Sequence, residues 1–277
     1  MENRSSAINI PGAIIIAGAL IAVAVIYVNK PASSPLVANV ANSASATGPA
    51  VNLEPVTSDD HILGNPNAPL KIVEYSDPSC PFCKTFNTTM VDIMNSYGPG
   101  GKVAWVYRSY PLDTPDADGN VLHPNAGHES QAMECAAKLG GNDTFWKYEK
   151  ILYETTPSVT GATPKGLDQN LLSGLARSVG LDQSAFDACL SSGQTKNQVT
   201  ADFTSGVNAG VTGTPTSFFI LDNSINPTAV DYVERALLQY KVSSDIISVS
   251  PDKRFVTVSG AMPKAFITGL IESLLNH

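Results

Sequence analysis

Cys80, Pro81, Phe82 and Cys83 place two thiols three residues apart, and the chain's other cysteines, Cys135 and Cys189, are isolated. Such a pair can close a disulfide, open one, or hold a soft metal. Where a C-x-x-C opens a helix, the first sulfur lies near backbone N–H groups that have no helical partner, and these favour a thiolate. The second sulfur lies one turn in, close enough to bond the first and buried enough to be protected. Pro81 suits that first turn, where a missing N–H costs nothing. Cys80 is therefore expected to be the exposed, acidic thiol. Zinc usually takes four ligands, and neither a second C-x-x-C nor an H-x-x-x-H is present. His123 and His128 sit in a loop-like HPNAGH segment. No metal site is expected. A plain structural disulfide and a Cu(I) carrier using both thiolates and a histidine are the alternatives of other classes.

Three elements must position that pair. Residues 71–76 (KIVEYS) are short, apolar and β-branched, as in a buried strand. Phe82, Phe86, Met90, Ile93, Met94 and Tyr97 then recur at helical spacing, up to the stop Gly98-Pro99-Gly100-Gly101. Residues 103–109 (VAWVYRS) read as a second strand. Strand, helix, strand in that order predicts a parallel βαβ unit. Helical patterns follow at 131–139, 144–153, 169–179 and 184–190. A strand at 216–221 (TSFFIL), a helix at 230–240, a hairpin of 246–249 with 255–258, and an amphipathic helix at 265–275 complete the reading. The class is α/β.

The whole chain sets limits. A net charge of -8 over 277 residues, with no basic run, argues against nucleic acid. Residues 10–28 run without a charge, and at about 1.5 Å per residue they reach about 29 Å, close to a bilayer core. That is longer than a cleaved signal core, so residues 1–30 are expected to be a cytoplasmic stub and a transmembrane signal anchor. The small-residue stretch ANSASA keeps cleavage as an alternative. Residues 31–57 read as a flexible linker. Residues 58–277 form the head, placed outside a cell membrane by a single pass.

Several separated motifs give the head a family likeness. Residues 60–69 (DHILGNPNAP), then IVEYSDPSCPFC, resemble the start of the DsbA-like thioredoxin-fold oxidoreductases. So do Tyr110-Pro-Leu with His123-Pro124-Asn125-Ala126, Glu134-Cys135-Ala136, Phe145-Trp146-Lys147-Tyr148, residues 210–216 (GVTGTPT) and Ser259-Gly260-Ala261. The resemblance implies a thioredoxin-like fold with a helical insertion at about 111–208. It implies that Pro215 is cis and faces the cysteines, and that Thr214 presents backbone groups to a substrate chain. It matches Glu74 to a buried acid serving proton transfer at the second cysteine. The bland alternative for Glu74 is a strand-end acid in solvent. The function implied is an enzyme, a protein thiol-disulfide oxidoreductase needing no cofactor. It would donate or exchange disulfides with exported proteins and be re-oxidised by a quinone-linked membrane protein. An isomerase or reductase on the same fold is the nearest alternative. Phe82 stands where the strongly oxidising bacterial archetype has histidine, which puts a lower oxidising strength in prospect. The segment at about 222–249 is extra, because that joint is normally short in the family.

Cys135 and Cys189 each lie on a helical pattern with apolar neighbours. They read either as buried thiols acting as small hydrophobes or as a structural disulfide. The oxidising side of a membrane favours the disulfide, and some relatives pair cysteines in these positions.

Overall fold

The computed structural model describes residues 51–157 and 166–276. The anchor expected at 10–28 and most of the linker lie outside the described residues. Among the described residues no helix is long and apolar enough to cross a membrane.

The frame is a six-stranded sheet. Its strands are β1 (His61–Gly64), β2 (Leu70–Ser76), β3 (Val103–Ser109), β4 (Thr216–Leu221), β5 (Ile247–Val249) and β6 (Phe255–Ser259), in spatial order β1-β3-β2-β4-β6-β5. Only β2 and β3 pair in parallel, joined by α1 (Pro81–Tyr97). The other pairings are antiparallel. Between β3 and β4 lies the helical insertion: α2 (Ala126–Gly140), α3 (Asn142–Thr155), α4 (Leu172–Ser178), α5 (Gln183–Ser192) and α6 (Lys196–Asn208), with a 3-10 turn at Gln169–Leu171. The segment at 222–249 holds α7 (Pro227–Tyr240) and β5, and α8 (Lys264–Leu275) ends the described chain.

Strand alternation divides the core between the two faces of the sheet. On β2, Leu70 and Ile72 join Trp105 and Tyr107 of β3 in the larger cluster, together with Phe86 and Met90 of α1 and Phe266 and Leu270 of α8. Val73 and Tyr75 face the other way, with Val106, Tyr110 and Phe218. Phe86, Met90, Ile93 and Met94 form one buried stripe on α1. Burying each large side chain contributes about 2 kcal/mol, and this holds the helix start beneath the sheet.

Two findings depart from the sequence reading. The chain is engaged before residue 58. Buried Arg108 donates to the carbonyls of Glu54 and Pro55, to the Tyr75 hydroxyl and to both oxygens of Asp60. Asn52 N–H also reaches the Asn208 carbonyl at 3.3 Å. Strand β1 and helix α6 were not expected at all. On β1, both backbone groups of Ile62 are taken by the Asn142 side chain, at 3.1 and 2.8 Å. Asn142 also begins the N-x-T triplet Asn142-Asp143-Thr144. The same triplet at Asn87 lies on α1, where the side chain is buried and donates to Glu149.

Candidate active site

Cys80 is the N-cap of α1, with extended backbone (φ -76°, ψ 124°), and Pro81 is the first helical residue. A tight turn delivers it there. Cys80 N–H donates to the Asp77 carbonyl at 3.0 Å, and Lys84 N–H closes the first helical turn onto the Cys80 carbonyl at 3.1 Å. Both thiols are free. The Cys83 thiol and its backbone N–H both point at the Cys80 sulfur and stabilise it as a thiolate. Burial and the charge of Asp77 oppose them, and the balance lowers the Cys80 pKa to about 6. Cys83 is wholly buried, and its thiol is pushed well above the ordinary range, first by burial and then by its bond to Cys80. The Asp77 N–H donates to its sulfur at 3.4 Å.

The structure corrects one expectation here. Cys80 is acidic but not exposed: it shows 3% of its surface, against 65% for Phe82. Its sulfur lies 3.5 Å from the Thr214 carbonyl oxygen, on the loop that enters β4. The Thr214–Pro215 peptide bond is cis. Pro215 thus follows directly on the carbonyl that meets the nucleophile, and its own carbonyl accepts from Gly260 N–H at 2.7 Å. Phe82 makes no part of the thiolate's surroundings; its ring projects from the helix start.

Glu74 is fully buried on the face of β2 that carries Ile72, and so is not an acid in solvent. Ser76 Oγ donates to one of its oxygens at 2.6 Å and Trp105 Nε1 to the other at 2.9 Å. Burial raises its pKa to about 7 against the pull of those two donors, with the Cys80 charge adding a little. Ser76 Oγ also meets the Tyr153 hydroxyl at 3.0 Å. Tyr153 in turn reaches the Asp77 carbonyl and the Tyr107 hydroxyl. A buried chain of hydroxyls thus runs from Glu74 to the turn that carries the cysteines.

The insertion closes the site from the other side. The Asp77 carboxylate accepts from Ser79 N–H (2.7 Å), Leu112 N–H (2.8 Å) and His123 Nδ1 (2.7 Å). Glu129 of α2 accepts from Ser79 Oγ at 2.7 Å and from Leu167 N–H at 2.6 Å. Gly166, at φ +72°, packs so closely on Ser79 and Glu129 that a Cβ there would collide with both. His128 hydrogen-bonds Gln169. Asp77, His123, Glu129 and Tyr153 were not read from the sequence as site residues. The usable signal was Asp77-Pro78 immediately before the cysteines.

Cys135 and Cys189 are joined in a disulfide, with Cα atoms 5.9 Å apart, tying α2 to α5.

The comparisons agree with this architecture. The family described as Thioredoxin matches residues 56–238. Alpha-DsbA1 of Wolbachia pipientis superposes with a TM-score of 0.57 at 20% identity, covering 79% of this chain and 92% of that one. BdbD from Bacillus subtilis, in its oxidised crystal structure, gives 0.56 at 19% identity, covering 79% and 94%. Likeness at this identity establishes the fold. Among curated proteins, the Na(+)/H(+) antiporter NhaA 1 of Mycolicibacterium gilvum is 32% identical over 102 residues, which is 36% of this chain but 15% of the antiporter. The chain thus matches only a small part of the length of that relative. The chain belongs to the thioredoxin family and has the DsbA-like form of its fold.

Proposed function

We propose that the protein works outside the cytoplasm, tethered by residues 10–28, and donates the Cys80–Cys83 disulfide to exported proteins. The observation that carries this reading is the asymmetry of the pair. One thiol is acidic and set against an open backbone edge at Thr214, and the other is buried and strongly protonated. A substrate thiolate attacks Cys80 Sγ, and Cys83 leaves with the electron pair and takes up a proton. Glu74, with a pKa near neutrality and near enough for its charge to act on Cys83, is the buried acid that would supply it. A second substrate thiolate then attacks the mixed disulfide at the substrate's sulfur. Cys80 departs as the stabilised thiolate, the substrate is oxidised by two electrons, and the enzyme is left as the dithiol.

In this reading the Thr214 backbone aligns the extended substrate, Pro215 fixes that edge, and Pro81 lets the helix begin at the nucleophile. Phe82 gives the sulfur no charge or hydrogen bond. The protein is therefore a moderate oxidant, between about -270 and -120 mV. Re-oxidation falls to a quinone-linked membrane partner. Among the described residues no group of three or more His, Cys, Asp or Glu side chains is placed to hold a metal ion, so the geometry lends the Cu(I) alternative no support.

The test is oxidation of a reduced two-cysteine peptide by the full chain, together with thermal unfolding of both redox forms. An oxidase forms the peptide disulfide, loses that activity in Cys80→Ser, and melts higher when reduced. A clearly higher melting temperature for the oxidised form assigns the protein to the reductases.

A further inference from the structure

Asp77 poses an electrostatic problem for the nucleophile. Its carboxylate is fully buried in the turn that delivers Cys80, and its charge works against ionisation of both cysteines. A carboxylate taken out of water is held only with donors or a counter-charge. Two of its donors are neutral backbone amides, from Ser79 and Leu112. The third is the His123 ring, itself 3% exposed, at 2.7 Å.

We propose that His123 is a positioning residue for the Cys80 thiolate: as an imidazolium on Asp77, it cancels the buried negative charge of the Asp77-Pro78-Ser79 turn and lets Cys80 leave as an anion. The inference rests on the reading of Cys80 as nucleophile. The groups that face His123 come from three elements: Asp77 on the turn, Cys80 at the start of α1, and Glu129 on α2. Burial alone would pull the imidazole down. That is the largest single influence, but the Asp77 hydrogen bond and the charges of Asp77, Cys80 and Glu129 together outweigh it, so His123 titrates above its ordinary value. Backbone bonds fix the ring's place: His123 N–H donates to the Leu112 carbonyl at 3.0 Å, and Ala126 N–H donates to the His123 carbonyl at 3.1 Å. The cation that serves the thiolate therefore comes from the insertion, 43 residues beyond Cys80 in the numbering, and not from the Pro81-Phe82 dipeptide.

The bland account makes His123 a tie that merely holds its loop onto Asp77. Full-length His123→Gln, Asp77→Asn and the double variant separate the two. The readouts are the Cys80 thiolate titration, followed by ultraviolet absorbance of the reduced protein, and the equilibrium with glutathione at pH 7. An opposite charge beside an ionising group moves its titration by at least about tenfold in proton concentration. His123→Gln should therefore reduce the Cys80 thiolate at pH 5 roughly tenfold and shift the glutathione equilibrium about fivefold toward the protein disulfide. Adding Asp77→Asn removes the uncompensated charge, so the double variant should recover the wild-type titration. A mere tie predicts no recovery. A His123→Gln titration equal to wild type overturns the proposal, as does a double variant displaced as far as the single one. If His123→Gln fails to fold, Asp77→Asn alone decides: the buried ring loses its proton with its partner, so an unchanged Cys80 titration supports the proposal, and a clearly more acidic or less acidic Cys80 overturns it. A wild-type Cys80 that titrates at the ordinary thiol value would refute the functional reading itself. A low wild-type value that His123→Gln leaves unmoved refutes only this inference.

Discussion

Moving the pH from 7 to 5 should erase most of the stability that the reduced protein gains from Cys80. The thiol titrates at about 6 in the folded chain against 9.0 for a free thiol. A depressed folded pKa stabilises the native state above the unfolded value and loses that stability as pH falls through the folded value. The full effect, reached above pH 9, is about 4 kcal/mol. At pH 7 the ratio of the two ionisation partition functions is about eleven, or about 1.4 kcal/mol, and at pH 5 almost nothing is left. The oxidised protein carries no such titration. Glu74, raised by burial to about 7, acts with the opposite sign, losing stability as pH rises from its ordinary 4.5. It is present in both redox forms and largely cancels in their difference. Urea unfolding of reduced and oxidised full-length protein at pH 5 and pH 7 therefore isolates Cys80. The reduced-minus-oxidised stability should rise by about 1.4 kcal/mol between the two pH values, equivalent to about 30 mV in the reduction potential. A difference that is flat, or that falls, refutes the claim that the helix start and Cys83 hold a thiolate.

Glu74→Gln should slow peptide oxidation at pH 7 by about tenfold or more, and the rate profile should lose its inflection near 7; stopped-flow measurement across pH checks both. Cys135→Ser with Cys189→Ser opens a link separated by 54 residues, and denaturant unfolding should show a loss of about 4 kcal/mol in the chain-entropy account. Arg108→Ala strands the partly buried Asp60 carboxylate and releases the carbonyls of Glu54 and Pro55. It should cost about 3–5 kcal/mol and expose residues 51–57 to limited proteolysis while the remaining domain resists.

The β2-α1-β3 unit was legible because its burial is regular: the stripe from Phe86 to Met94 and the apolar, β-branched run at 71–76, buried at every position but Lys71, are strong local signals. The motif Cys80-Pro81-Phe82-Cys83 announced a helix start for the same local reason. Strand β1 escaped because four residues carry too little pattern, and because its partner, β3, lies about 40 residues away. Helix α6 escaped because only Val199, Ser205 and Gly206 of its thirteen residues are buried, which leaves no apolar stripe to count. The electrostatic half of the site was hidden for a different reason. Asp77 meets His123 across 46 residues, and Ser79 meets Glu129 across 50. Such pairings are made by the insertion folding back, and neither spacing nor composition encodes that. Cys80 was expected to be exposed because a nucleophile must be reachable, but the loop of Thr214 lies over its sulfur.

Under the proposed function, in which the substrate is itself an extended chain, the two outer strands of the sheet acquire a meaning. A sheet border with free N–H and C=O groups is a template on which extended polypeptides nucleate, and an enzyme that meets nascent chains is at constant risk of becoming the seed of their aggregate. Here one border is β1, four residues long, with the outward groups of Ile62 occupied by Asn142. The other is β5, three residues long and supplied by the extra segment at 222–249, which moves the longer β6 into the interior. On the proposed function the segment would act as a hem: a client lying along Thr214 for the time of an exchange would meet only the short border strands β1 and β5.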